Sequence, residues 1–362
     1  MRRLVSFRRV TSGLARLARL ARLALLVSLA TGCGGGDGGG KVSAAVDLTG
    51  AGATFPYPLY SRWFADYAAK TGVRINYQSI GSGGGIRQLL DRTVDFGASE
   101  APATADELAR AKGGAVLQIP LVAGAVAIVY NLPGVTASLH LTGDVVADLF
   151  LGKVTRWNDA RLVALNPGVT LPDQPVLVVF RADPSGSGYV LGDYLSHVSE
   201  AWKNGPGTHK ELAWPVGLGA KGNEGLAGQL KLTPYAMGFV ELAYAQQNHL
   251  TVAALRNRAG AFVLPSRLGI AAAIADVAQR IGDDDNFRVS VVDGDNPAAY
   301  PICTLSWILF YRDATTTVRG RQLSDFLRWA LHSGSASAEA LGYEPLPAAL
   351  VEKVDRALGP AR

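Results

Sequence analysis

Hydrophobic residues near the start of the chain recur first at helical spacing and then at strand spacing. Apolar side chains in residues 59–67 fall on one face of a helix, and this pattern ends at Gly72. Residues 73–78 alternate as in a strand, a second helix is predicted to begin near Ser82, and another strand is predicted at 94–97. Such alternation of helices and strands is typical of α/β proteins with mainly parallel strands.

Two longer apolar runs indicate strands in the middle of a sheet. Residues 118–131 and 176–180 are almost continuously apolar, as expected of strands that are covered on both faces. Trp63, Trp157 and Trp307 fall in apolar surroundings as well. We expect these indoles to pack in the core rather than to stack on a ligand.

Three short turns rich in glycine and hydroxyl residues each precede a predicted helix. They are TGAGATFP (49–56), IGSGGGI (80–86) and RADPSGSG (181–188). A helix N-terminus exposes unpaired backbone N–H groups and about half a positive charge, so several that meet at one point can bind an anion. One such turn alone is ordinary loop chemistry, but three together indicate an oxyanion site. The pattern also places Glu100 at the carboxyl end of a strand, where open α/β sheets bind ligands.

The first 32 residues have the features of an export signal. They contain seven arginines, no acidic residue and the apolar segment 23–30, which is too short to span a bilayer comfortably. Small residues precede Cys33, as at the site where bacterial lipoprotein precursors are cut and lipidated. We therefore expect a signal peptide over 1–32, a lipidated Cys33 and a flexible glycine-rich tether over 33–45. An ordinary signal peptide with an incidental cysteine is the alternative.

Charge argues against a nucleic-acid partner. The whole chain has a formal net charge of +5, but without the seven arginines of the predicted signal 28 basic residues face 30 acidic ones, a net charge of −2. Binding to nucleic acid requires a basic surface. We therefore expect no nucleic acid, and any bound anion is held by local groups.

Cysteine and histidine give no indication of a metal site or of nucleophilic catalysis. Apart from Cys33 the sequence has one cysteine, Cys303, whose neighbours indicate a buried strand, so it is predicted to be a small buried apolar residue. The five histidines are scattered singly, without the spacing of metal ligands. Neither Ser185 nor Ser187 lies in a Gly-x-Ser-x-Gly motif. The sequence therefore predicts no metal and no serine or cysteine nucleophile.

A series of short segments extends along nearly the whole predicted mature chain. They are LTGAGATFP (48–56), GSGG (81–84), VDFGASEAP (94–102), LGKVTRW (151–157), RADPSGS (181–187), GLGAKGNEG (217–225) and YPI (300–302). In this order they resemble the phosphate-specific substrate-binding proteins of bacterial ABC importers. Any one segment would be weak support, whereas the ordered set is specific.

This resemblance implies the two-lobed α/β fold of periplasmic binding proteins, in which each lobe has a central sheet flanked by helices. The ligand would lie in the cleft between the lobes. The chain would cross between them near Asn131 and Pro301, so that the first lobe comprises residues 46–130 and 302–362 and the second lobe residues 131–301. A ligand that contacts both lobes would hold them closed.

The resemblance also assigns candidate phosphate-binding residues. Thr54 and Phe55 would offer backbone N–H groups, with help from the Thr54 hydroxyl, and Ser82 would offer both its N–H and its hydroxyl. Arg181 would supply the main positive charge, because its planar fork suits phosphate oxygens. Asp183 resembles the carboxylate that orients this arginine in the family.

The third turn and one carboxyl group complete the candidate site. Ser185, Gly186 and Ser187 would add donors, and the missing side chain of Gly186 would let the backbone approach the ligand closely. Glu100 stands where the family usually has aspartate, and it would accept the proton that phosphate carries and sulfate lacks. A site that needs this proton can reject the analogue by on the order of 10⁴-fold. Glu100 is therefore the predicted specificity residue.

The implied function is the capture of inorganic phosphate and its delivery to the membrane permease subunits of an ABC importer. The protein would act as a monomer without cofactor or catalysis, in the periplasm or at the outer face of the cytoplasmic membrane, anchored through Cys33. Two alternatives remain open. One is a phosphoesterase of the same fold with Glu100 as base, and the other is a receptor for another tetrahedral oxyanion such as sulfate or molybdate.

Overall fold

The structure is a computed structural model that describes residues 47–278, 280–281 and 286–359. The predicted export signal, Cys33 and the glycine-rich tether lie outside the described residues. The strands within them are β1 (Leu48–Gly52), β2 (Ile75–Ser79), β3 (Phe96–Ser99), β4 (Val116–Tyr130), β5 (His140–Leu141), β6 (Leu177–Arg181), β7 (Leu218–Ala220), β8 (Ala236–Glu241), β9 (Thr251–Val252), β10 (Ala254–Arg256), β11 (Phe262–Val263), β12 (Cys303–Tyr311) and β13 (Glu344–Pro345).

Helices lie between most of these strands. They are α1 (Tyr57–Thr71), α2 (Ser82–Leu90), α3 (Ala105–Ala109), α4 (Gly143–Phe150), α5 (Ala160–Leu165), α6 (Gly186–Val198), α7 (Glu200–Lys203), α8 (Gly222–Leu232), α9 (Leu242–Gln247), α10 (Arg267–Ala278), α11 (Val318–Ser333), α12 (Ser335–Ala340) and α13 (Ala348–Leu358), with a 3₁₀ helix at Arg312–Thr316. No helix in the described parts of the chain is both long and apolar enough to cross a membrane.

Most strands form one sheet of order β2-β1-β3-β12-β4-β8-β6-β7, with β13 and β9 also paired to β4. At one end β1 runs parallel to β2 and β3, and at the other β6 runs parallel to β7 and β8. The three pairings in the middle, β3–β12, β12–β4 and β4–β8, are antiparallel. The prediction of mainly parallel strands is therefore correct at the two ends of the sheet and wrong in its centre.

The long strand β4 joins the two ends of the sheet. Up to Ala125 it pairs with β12, and from Val126 onward it pairs with β8. All of its residues are buried, which accounts for the continuous apolar run in the sequence. β4 leads the chain out of one half of the sheet and β12 leads it back, so these two strands run in opposite directions. The change of partner occurs within β4, before the crossing predicted at Asn131, and the lobe boundaries as a whole stay a prediction.

Local patterns predict the first elements closely. α1 begins after Pro56 and ends at Gly72, whose φ of 79° is the left-handed conformation that terminates helices. α2 begins at Ser82, as predicted. The strands β2 and β3 each begin two residues later than the sequence pattern suggests.

The three tryptophans pack in the core, as predicted. Trp63, Trp157 and Trp307 are each 1% exposed. Each indole N–H donates to a backbone carbonyl, so the polar end of the ring is satisfied where it is buried.

Candidate functional site

Each glycine-rich turn follows a strand and precedes a helix: the turns link β1 to α1, β2 to α2 and β6 to α6. The first N–H groups of each helix have no partner within that helix. The structure buries the polar side chains predicted for the site to at most 4% exposure: Thr54, Ser82, Glu100, Arg181, Ser185 and Ser187. Buried polar groups in such number require mutual hydrogen bonds or a bound polar ligand.

The second and third turns are in direct contact. A methyl group on the Cα of Gly186 would lie 2.4 Å from Glu100 Oε2 and 2.4 Å from Ser82 Oγ, so only glycine fits at this position. The Gly83 N–H donates to the Pro184 carbonyl over 3.2 Å. The two predicted lobes therefore meet at this point, with α6 of the second lobe directed at α2 of the first.

The first turn joins the same cluster through a residue that the sequence analysis did not select, Asn223. Its carboxamide Nδ2 donates to Thr54 Oγ1 over 2.8 Å and to Ser187 Oγ over 3.3 Å. The Tyr244 hydroxyl donates to the Thr54 carbonyl over 2.7 Å. The backbone N–H of Asn223 also donates to Thr54 Oγ1. Three hydrogen bonds from the second predicted lobe therefore hold Thr54 of the first.

Arg181 lies at the end of β6 and pairs with Asp183, as predicted. Its Nε donates to Asp183 Oδ1 over 2.8 Å and its Nη2 to Oδ2 over 2.5 Å. Burial alone would raise the pKa of Asp183, but these bonds and one from the Gly222 N–H hold that pKa below its ordinary value. Asp183 therefore remains ionised and fixes the plane of the guanidinium group.

Glu100 follows β3 and is held by two serine hydroxyls. Ser306 Oγ donates to Oε1 over 2.9 Å, and Ser82 Oγ donates to Oε2 over 3.2 Å. Burial raises the pKa of Glu100 to about 7, although the two hydroxyl bonds and the charge of Arg181 act in the opposite direction. The carboxyl group therefore exchanges a proton near neutral pH, as a group that accepts a proton from a ligand should.

Ser185 and Phe55 are fixed by bonds that leave other groups available. The Ser185 hydroxyl caps α6 by accepting the Gly188 N–H over 2.9 Å, so its own proton remains to be donated. The Phe55 carbonyl accepts the Tyr343 hydroxyl over 2.7 Å. The structure thus brings all the predicted site residues into one buried cluster; which of them contact a ligand stays a prediction.

Asn223 and Ser306 were not predicted from the sequence as residues of the site. Asn223 lies in the first turn of α8, within the GLGAKGNEG segment, so a fourth glycine-rich turn before a helix was the signal available. Ser306 lies in the middle of an otherwise apolar strand, β12, and only its distance of 2.9 Å from Glu100 reveals its role.

Among the described residues, no group of three His, Cys, Asp or Glu side chains lies close enough together to hold a metal ion. Cys303 is buried at the start of β12, as predicted, and its Sγ donates to the Tyr300 carbonyl. Burial raises the pKa of the Cys303 thiol, which makes it a packed residue rather than a nucleophile.

The fold and the buried, donor-rich cluster are those of a substrate-binding protein, and the model of the PBP superfamily domain matches residues 39–333. The phosphate-binding protein PstS of Pasteurella multocida is 42% identical over 314 residues, covering 86% of this chain and 90% of that protein. PstS of Xylella fastidiosa is 42% identical over 316 residues, with coverage of 87% and 85%. PstS of Methanocaldococcus jannaschii is 34% identical over 318 residues, with coverage of 82% and 81%. The chain belongs to the PstS family of phosphate-binding proteins.

Solved structures share the fold. The high-affinity periplasmic phosphate-binding protein PfluDING, solved with phosphate, matches with a TM-score of 0.67 at 23% identity, over 86% of this chain and 93% of that one. A DING protein matches with a TM-score of 0.69 at 20% identity, over 86% and 94%. The predicted two-lobed α/β fold is thereby confirmed.

Proposed function

We propose that this protein binds inorganic phosphate in the cleft between its two lobes and delivers it to an ABC importer for phosphate uptake. The observation that carries the proposal is the buried Glu100 carboxyl group, which lies among the donors of the second and third turns. The names of the PstS relatives support the same ligand.

The ligand's oxygens would accept hydrogen bonds from all three turns. Donors from the first lobe are the N–H groups of Thr54, Phe55 and Ser82, and the Ser82 hydroxyl would join them by turning its proton from Glu100 Oε2 to the ligand. The second lobe supplies the guanidinium group of Arg181, the hydroxyl groups of Ser185 and Ser187 and the N–H groups of Gly186 and Ser187, whereas the Ser185 N–H already donates to the Lys210 carbonyl. Because the helix N-termini of α2 and α6 meet here, their dipoles add to the charge of Arg181.

Glu100 would select phosphate over sulfate. A carboxylate repels an anion unless the anion donates a proton to it, and phosphate carries a proton at neutral pH whereas sulfate does not. Since burial raises the pKa of Glu100 to about 7, one proton can be shared between carboxyl group and ligand at the pH of the cell surface. Sulfate and molybdate are therefore the less favoured ligands.

The partners and location follow from the same proposal. The signal-like residues 1–32 would direct export, and Cys33 would carry the lipid that anchors the protein beside the permease subunits of the importer. The protein would act as a monomer at the membrane surface or in the periplasm.

The proposal assigns no chemical step to the site, in contrast to the phosphoesterase alternative. That alternative needs Glu100 as a general base, so release of inorganic phosphate from an ester by the purified protein, lost in Glu100→Ala, would support it.

Calorimetry with phosphate and with sulfate tests the proposed function. The sample is a soluble form that starts after Cys33, stripped of carried-over ligand by unfolding and refolding. We expect tight binding of phosphate and no heat from sulfate at two pH values at which Glu100 is ionised, above about 7. Heat from sulfate, or no heat from either anion, would contradict the proposal.

A further inference from the structure

Asn223 connects three elements of the cluster from a fully buried position in the first turn of α8. Its Oδ1 accepts the backbone N–H of Glu241, at the end of β8, over 3.0 Å. Its Nδ2 donates to the hydroxyl oxygens of Thr54 and Ser187, and its own backbone N–H donates to Thr54 Oγ1 over 3.1 Å.

The direction of these bonds is fixed by the backbone of β8. The N–H of Glu241 can only donate, so it must face the carboxamide oxygen of Asn223, and the NH₂ group must then face the two hydroxyls. A hydroxyl has one proton and two lone pairs. Thr54 Oγ1 accepts two N–H bonds, so both of its lone pairs are used and its proton is left to be donated. Ser187 Oγ accepts one bond from Asn223, which also leaves its proton to be donated.

We propose that Asn223 is a positioning residue that forces the hydroxyls of Thr54 and Ser187, one from each lobe, to donate their protons into the anion cleft. Asn223 acts through these two hydroxyls and contacts no ligand. The inference rests on the proposed phosphate-binding function. A hydroxyl that turned its lone pairs toward the cleft would repel an oxyanion, so the fixed direction makes these two hydroxyls ready for accepting oxygens of the ligand before the ligand arrives.

Asn223→Asp tests the direction of the bonds, because it replaces the donor NH₂ with an oxygen of similar size. The carboxylate can only accept, so both hydroxyls would turn their protons toward it. We expect the phosphate affinity at about pH 8 to fall by roughly 100-fold or more. Toward about pH 5 the loss relative to wild type should shrink by roughly tenfold or more, because burial raises the pKa of the introduced carboxyl group and the protonated acid again has a donor.

The pH comparison uses the ratio of variant to wild type at each pH, because both proteins carry the same other charged and titratable groups on neighbouring elements. These groups are Glu224 on α8, Glu241 at the end of β8, Tyr244 on α9, Arg181 and Asp183 at the end of β6, and Glu100 after β3. A ratio that does not change with pH would contradict the proposed direction of the bonds.

Asn257 provides a matched control. It is also buried, its Oδ1 accepts the Ala261 N–H over 3.0 Å, and its Nδ2 donates to the carbonyls of Pro297 and Ala299 over 2.9 and 3.1 Å. Asn257→Asp should lower the thermal stability, because two carbonyls would face a carboxylate, and should leave phosphate affinity unchanged. An equal loss of affinity in both aspartate variants would show a structural effect only and would overturn the proposal.

A mutant cycle keeps the proposal testable if Asn223→Asp does not fold. Asn223→Ala should weaken phosphate binding in wild type by roughly tenfold or more, and by much less in a Thr54→Val/Ser187→Ala background, where no hydroxyl remains to be oriented. Equal losses in the two backgrounds would overturn the positioning role. Absence of phosphate binding by wild type itself would overturn the proposed function together with this inference, so the two failures are distinguishable.

Discussion

Glu241, at the end of β8, is a second buried carboxyl group beside the cleft. Tyr343 has one hydroxyl proton but contacts both the Phe55 carbonyl over 2.7 Å and Glu241 Oε2 over 2.9 Å. The Tyr343 hydroxyl donates to both oxygens, so its single proton cannot fully satisfy the carbonyl and an ionised Glu241 at once, and protonation of Glu241 relieves this competition. Burial raises the pKa of Glu241 to about 8, which agrees with this count of protons. Glu241 is therefore a neutral acid at neutral pH.

This protonation makes the stability of the phosphate-free protein depend on pH. The ordinary pKa of both glutamates is 4.5, and burial raises it to about 8 for Glu241 and to about 7 for Glu100. Between these values the folded state binds more protons than the unfolded state. The free energy of unfolding should therefore fall as the pH rises through this window. Glu241→Gln, which stays neutral, should show a flatter fall in urea denaturation between about pH 5 and about pH 8. Equal slopes for variant and wild type would show that Glu241 is ionised in the folded protein.

Arg181 is the residue whose removal should weaken phosphate binding most. Arg181→Ala removes a buried charge and leaves Asp183 without its positively charged partner, so phosphate affinity should fall by roughly 100-fold or more in calorimetry. Arg161→Ala is the control, because its exposed guanidinium group pairs with Asp148 and Asp159 on the surface. Unchanged affinity in Arg181→Ala would show that the site lies elsewhere.

At the scale of elements, the site is made by helix N-termini that strands bring to one place. Local sequence predicts α1, α2 and the start of α6, because glycine, proline and hydroxyl residues at a helix start act on the backbone of residues close to them in sequence. It did not predict the antiparallel centre of the sheet, since the direction of β12 depends on where a distant part of the chain returns. For the same reason Ser306 and Asn223, which meet Glu100 and Thr54 from distant elements, were not found.

A substitution at the N-terminus of α6 tests how closely α6 and α2 must pack for phosphate to bind. Gly186→Ala places a methyl group 2.4 Å from Glu100 Oε2 and 2.4 Å from Ser82 Oγ, so α6 cannot approach α2. We expect phosphate affinity to fall by roughly 100-fold or more while the thermal stability of the phosphate-free protein changes little. Gly225→Ala on α8 is the control, because a methyl group there meets no atom within 4 Å. Equal phosphate affinities for Gly186→Ala and wild type would contradict the close packing of the turns.

At the scale of the whole molecule, an ion pair connects the two predicted lobes. Lys210 Nζ of the second predicted lobe lies 2.6 Å from Glu107 Oε2 on α3 of the first, and the two side chains are 13% and 19% exposed. Burial raises the pKa of Glu107, but the bonds from Lys210 and Thr104 and the charge of Lys210 together outweigh burial and lower that pKa below its ordinary value. The Lys210 carbonyl also accepts the Ser185 N–H over 2.8 Å, which couples the ion pair to the third turn.

Loss of this ion pair should speed ligand release. Lys210→Met keeps the length of the side chain and removes its charge, so in stopped-flow experiments phosphate dissociation should accelerate about fivefold while association changes little. Lys153→Met is the control, because Lys153 pairs with Asp148 on an exposed surface. An unchanged dissociation rate in Lys210→Met would mean that the pair does not hold the cleft closed.

The most direct test of the account is the ratio of phosphate to sulfate affinity, measured side by side for wild type and Glu100→Gln. We predict that wild type binds phosphate tightly and sulfate too weakly to detect. In Glu100→Gln the carboxyl group that repels sulfate is gone, so sulfate should bind measurably and the ratio should fall by roughly 100-fold or more. A variant that still excludes sulfate as completely as wild type would contradict the role of Glu100, and a wild type that binds sulfate would contradict the account of phosphate selectivity as a whole.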